Sequence, residues 1–137
     1  MPVNDVVRLT LSQTSIGLGT PTGSDYANGY RDVSGAAATV TVKANRAFRV
    51  QVVGAAPNFT YSGAFSNPNK PATDLQWATS QAGLASTTNT MGATATLLNQ
   101  GASASATQLL FLRTLWHFST DVPGTYSLAV SVTLAAP

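Results

Sequence analysis

Thr125-Tyr126-Ser127-Leu128-Ala129-Val130-Ser131-Val132-Thr133-Leu134-Ala135-Ala136-Pro137 is the stretch that decides the fold. Tyr126, Leu128, Val130, Val132 and Leu134 alternate with Ser127, Ala129, Ser131 and Thr133, the period of a strand with one buried and one polar face. Pro123-Gly124 just before it supplies a turn, because proline presets φ and glycine accepts the positive φ that many turns need. The chain closes on a β-strand.

The same alternation recurs further back. Val7, Leu9 and Leu11 oppose Val6, Arg8, Thr10 and Ser12, which marks residues 5–13 as a first strand. Val40 and Val42 alternate with Thr39, Thr41 and Lys43, and Phe48, Val50 and Val52 with Arg49 and Gln51. The short Ala44-Asn45-Arg46 link between these two runs predicts a hairpin. After Asn58-Phe59-Thr60-Tyr61 and a proline-bearing loop, short strands are also expected at 74–77, with Leu75 and Trp77 inward, and at 94–98. Residues 109–118 are apolar on both faces and fit either a buried helix or a central strand. Trp116, Phe118 and Thr114 crowd their second half, and the rest of the chain reads as β, so a central strand is preferred. Residues 14–37 form a long Gly/Thr/Ser/Asn-rich connection, in which Ile16 and Leu18 add at most a short strand. The whole predicts one all-β domain over residues 1–137, an antiparallel immunoglobulin-like sandwich of about seven to nine strands.

Composition supports this class and narrows the chemistry. Charged residues are 9% of the chain, against about 25% in typical soluble proteins, and all five acidic residues are Asp. Long helices are hard to write without Glu on their solvent faces. With no cysteine, disulfides, zinc-cysteine sites and thiol chemistry are excluded. The net charge is only +2 and the seven basic residues are scattered, so a nucleic-acid footprint is not expected. No apolar run is long enough for a membrane span. The start Met1-Pro2-Val3-Asn4 lacks the regions of a signal peptide. That leaves a protein used inside the cell that makes it, or a mature form whose leader was removed; the hydroxyl-rich composition favours the second.

No catalytic, metal or cofactor signature stands out. Were residues 117–121 extended, His117, Ser119 and Asp121 would be spaced too widely for direct hydrogen bonds. The expected place for His117 is a sheet edge beside Trp116, with Asp121 in a turn before Pro123. No two Asp residues lie close enough in sequence for a calcium loop; Asp25 and Asp32 flank the one loop where a cation is conceivable. Tyr26 and Tyr30 in that loop are candidates for stacking on a glycan. An enzyme is not expected, and neither is a cofactor.

Four residue groups then carry a resemblance: Val40-Thr41-Val42-Lys43-Ala44-Asn45, Phe48-Arg49-Val50-Gln51-Val52, Pro71-Ala72-Thr73-Asp74-Leu75-Gln76-Trp77, and Thr120-Asp121-Val122-Pro123-Gly124-Thr125-Tyr126 with the closing strand. Their order and spacing resemble small secreted bacterial surface proteins of the spore-coat-U and fimbrial-subunit type. The resemblance implies a structural subunit of an extracellular or cell-surface assembly, self-associating by strand donation. It makes Val3, Val7, Leu9 and Leu11 a candidate donor strand; the alternative is that they belong to the first strand of their own sheet. The disulfide common among chaperone-assembled pilins is absent. A glycan- or surface-binding module and a virion decoration protein are the competing functions.

Overall fold

In the computed structural model, which describes residues 1–101 and 104–135, the ambiguous apolar run is a strand as far as Leu115, while Trp116, His117 and Phe118 leave it because the chain turns back there. Residues 109–115 form the C-terminal part of β8 (Ala104–Leu115), the longest strand among the described residues. On one edge of β8 run β2 (Tyr30–Asp32) and β3 (Ala38–Ala44), and against the other edge of its second half lies β6 (Leu75–Ala78). β1 (Val7–Leu11) pairs outside β3, with Leu9 opposite Val42, and completes the first sheet.

The second sheet has the order β10 (Val130–Ala135), β4 (Phe48–Gly54), β7 (Ala95–Gln100). A ribbon of β5 (Thr60–Ser62) and β9 (Thr125–Ser127) stands beside these sheets. Every strand pairing is antiparallel, and the architecture is an all-β sandwich. Ten strands are present among the described residues. The closing run supplies two of them because Leu128-Ala129 interrupts it, and Ala136 and Pro137 lie outside the described residues.

The expected hairpin between residues 38–43 and 48–52 does not form. β3 pairs with β1 and β8, whereas β4 pairs with β10 and β7. The Ala44-Asn45-Arg46 link therefore carries the chain from one sheet to the other. Asn45 anchors this corner, its Oδ1 accepting from Val6 N at 2.8 Å and its amide donating to Asn4 O at 2.9 Å. Crossing over lets both alternating runs turn their apolar faces inward. Val40 and Val42 of β3 meet Phe48, Val50 and Val52 of β4 in one core, all with no exposed surface. Each such aliphatic side chain contributes about 1.5–3 kcal/mol by leaving water.

The 14–37 connection also holds more structure than its composition suggests. Helix α1 (Gly23–Asn28) starts with a capping box, in which Thr22 and Asp25 satisfy each other's backbone N–H groups. It ends at Gly29, whose φ of 88° permits a left-handed cap. Ile16 and Leu18 form no strand; they are half-buried and lie against the core.

Candidate functional site

Two features could carry function: a gap between the sheets and a buried charged cluster. The gap is a crevice of about 610 Å³. It is lined by core residues Val40, Leu110 and Leu112 and by Leu128, Val130 and Val132 of the closing run. The segment from Gln13 to Gly19, which forms no strand, lines it as well. Alternation places Tyr126, Leu128, Val132 and Leu134 against the core, while Val130, at the crevice, is 36% exposed.

Of the candidate donor residues, Val7, Leu9 and Leu11 lie in β1, half-buried and paired to β3 of their own chain. Val3 precedes the strand and is exposed. β1 is an edge strand, bonded on one side only among the described residues.

The charged cluster centres on Lys70, whose side chain is fully buried. The loop Ser66-Asn67-Pro68-Asn69-Lys70-Pro71 aims it inward. Asn67 Oδ1 accepts from Asn69 N at 2.9 Å, Asn69 takes a φ of 55°, and Lys70 O accepts from Phe59 N at 2.7 Å. Asparagine tolerates that left-handed conformation better than most residues. Lys70 Nζ donates to Asp121 Oδ2 at 2.8 Å, to Asp74 Oδ2 at 2.9 Å and to Leu115 O at 2.6 Å. Trp116 presents its ring 4.5 Å from Nζ, with Phe59 at 5.9 Å, close enough for cation–π attraction.

Asp74 closes a single 3-10 turn, Ala72–Asp74, leading into β6. Asp121 lies in the turn after β8. Its Oδ2 accepts from His117 N at 2.9 Å and its own N–H donates to His117 O at 2.9 Å. The spacing argument against His117 and Asp121 meeting fails because β8 ends at Leu115 and the chain folds back. The partner that Asp121 finds is the His117 backbone, while His117 Nε2 lies 3.6 Å from Asp74 Oδ2. Ligand atoms of Asp74, His117 and Asp121 fall within 4.8 Å of one another, with the Lys70 ammonium bonded to both carboxylates.

The cluster imprints itself on nearby phenols. Burial, then the Asp121 charge, pushes the Tyr26 hydroxyl up from its ordinary value. Burial, then the Asp121 charge, pushes Tyr126 up to about 12. Their hydroxyls donate to backbone carbonyls, Tyr26 to Asp121 O at 3.1 Å and Tyr126 to Val122 O at 2.7 Å.

The loop candidates are engaged separately. Tyr26 stacks on Phe118 with ring centroids 4.8 Å apart, and Phe118 is largely exposed. Tyr30 sits on β2 under the Arg113 guanidinium, 3.8 Å from its ring centroid. The two acidic residues flanking the loop have cationic partners. Asp25 pairs with Arg31 at 2.9 Å, and Arg113 grips Asp32 through two bonds of 2.6 and 3.0 Å. The Thr22 backbone bond, followed by the Arg31 bond, lowers the Asp25 carboxyl below its ordinary range.

Lys70 escaped the sequence reading, since a lysine among Pro and Asn reads as solvated loop. Its one local signal is the four-residue spacing to Asp74; Asp121 is remote in sequence. No family model, curated protein or solved structure matches the chain.

Proposed function

We propose that this protein is a non-enzymatic structural subunit of an extracellular or cell-surface assembly, joined to its neighbours by strand donation. The observation that carries this reading is the apolar crevice of about 610 Å³, lined in part by residues 13–19, which form no strand. A segment with alternating apolar residues entering there would bury them against core surface. Free main-chain groups on an adjoining sheet edge would supply its hydrogen bonds. β1 has the pattern required of such a segment. It is alternating and followed by a glycine-bearing connection. The low charge and abundance of Ser, Thr, Asn and Gly fit a surface used for stacking many copies. Around Lys70, Asp74 and Asp121 are buried, and only His117 of the cluster reaches the surface.

The test is the mass of the purified chain in solution over a wide concentration range, compared with a version lacking residues 1–13. Concentration-dependent oligomers that vanish on truncation, while a folded monomer persists, are expected. A strict monomer at high concentration, or a truncated chain that unfolds, would overturn strand donation. The exposed Phe118 stacked on Tyr26 favours a second reading, a glycan-binding module. Tyr26→Ala and Phe118→Ala should then each abolish binding on a glycan array; silence of the parent chain would end that reading.

A further inference from the structure

The geometry points to a covalent amide crosslink between Lys70 Nζ and Asp121 Cγ, formed within the folded chain without an added reagent. The ammonium and the Asp121 carboxylate are already in contact at 2.8 Å, with side chains 0% and 2% exposed. Such proximity in a site closed to water converts a bimolecular condensation into an intramolecular one. Ions held out of water carry a desolvation penalty that a neutral amide does not. The usual preference for separate ammonium and carboxylate, which rests on their hydration, is therefore weakened here.

The surroundings fit the product as well as the reactants. His117 N donates to Asp121 Oδ2 at 2.9 Å, where it would hold the oxyanion during attack and the amide carbonyl afterwards. Leu115 O accepts from Nζ at 2.6 Å and would keep the single amide N–H. The Asp74 carboxylate, 2.9 Å from Nζ, is placed to relay protons. Asp74 first takes a proton from the ammonium; the nitrogen lone pair this frees forms the C–N bond to Asp121 Cγ, and the bond from Cγ to Oδ1 breaks with its electrons going to that oxygen. Two of the three ammonium protons pass through Asp74 to Oδ1, which leaves as water. The third stays on the amide nitrogen, and Asp74 is regenerated. No oxidation or reduction occurs.

The link would tie the loop before β6 to the turn before β9, clamping distant parts of the sandwich. It is independent of assembly: a linked monomer would leave the crosslink standing and strand donation refuted.

Intact mass of the denatured, purified full-length chain is the decisive measurement. A mass lower than the sequence value by one water is expected; the full sequence mass would overturn the crosslink. Trypsin then locates it. Cleavage after Arg49 and Arg113, with Lys70 protected by Pro71, yields peptides 50–113 and 114–137. These two should appear joined. A water loss confined to one of them, as from a succinimide or a Lys70–Asp74 link, would overturn the assignment. In Asp74→Asn, a folded chain of full mass supports the proton relay, and an undiminished link refutes that role. Should this variant fail to fold, the parent's mass and digest still decide the crosslink.

Discussion

Replacing Lys70 with Met removes the ammonium bonded to both Asp74 and Asp121 while roughly conserving side-chain volume. The two contacts, 2.9 and 2.8 Å long, would each be worth about 6 kcal/mol of Coulomb attraction at an effective dielectric of about 20. Desolvation offsets much of that in the parent. In the variant the carboxylates stay in place, 11% and 2% exposed, and their desolvation is no longer compensated. Breaking a buried pair in this way costs about 3–5 kcal/mol, a large share of the roughly 5–15 kcal/mol that holds a domain together. At about 3 °C per kcal/mol for a chain of this size, the melting temperature should fall by roughly 10–15 °C. A covalent link at Lys70 would make the loss larger, so this range is a minimum. Urea unfolding at neutral pH, followed by fluorescence of Trp77 and Trp116, reads the difference. Adding Asp74→Asn and Asp121→Asn to the Met variant should restore part of the stability, since asparagine keeps an acceptor for His117 N–H and discards the charge. A Lys70→Met loss below about 1 kcal/mol, or a triple variant no better than the single, would refute the electrostatic reasoning.

Tyr126 makes stability depend on alkaline pH. Its folded value of about 12 lies above the ordinary value of about 10 for an unfolded tyrosine. The contribution is therefore fully present below about pH 10 and is lost as pH rises through the folded value. Tyr126→Phe should flatten that fall and cost about 1 kcal/mol at neutral pH through the lost bond to Val122 O; an unchanged alkaline profile in denaturant melts would contradict it. Val50→Asp should leave the chain unfolded by circular dichroism, because it places a charge at a position with no exposed surface. Val130→Asp, at a position 36% exposed, should stay folded, within about 1 kcal/mol of the parent, while a charge at the crevice suppresses oligomers in sedimentation. Equal destabilisation by both substitutions would mean that the crevice is closed.

Periodicity carried the fold class because alternation is a local property of the chain. A residue pattern such as Val40-Thr41-Val42 or Phe48-Arg49-Val50 is set by which face leaves water, and both runs became strands with those faces buried. The strand expected over 109–118 could not rest on alternation, because that run is apolar on both faces; the β character of its surroundings decided it, and the strand ends at Leu115, leaving Trp116, His117 and Phe118 outside.

Pairing was not legible. A buried face has the same alternation whether its neighbour is the next strand in the chain or one a hundred residues away, so the short 44–46 link suggested a hairpin. Only the tertiary structure sends β3 and β4 to opposite sheets, where their valines and Phe48 share one core. Tertiary structure also opens the crevice at Val130 and seats Lys70 between Asp74 and Asp121. By itself, the amino-acid sequence determined that strands form and, for the central runs, which face avoids water, whereas Val130 on the apolar side of the closing run stays 36% exposed. It could not decide which edges meet or which charges are drawn inside together, because those free energies arise between groups that only the completed fold brings within a few ångströms.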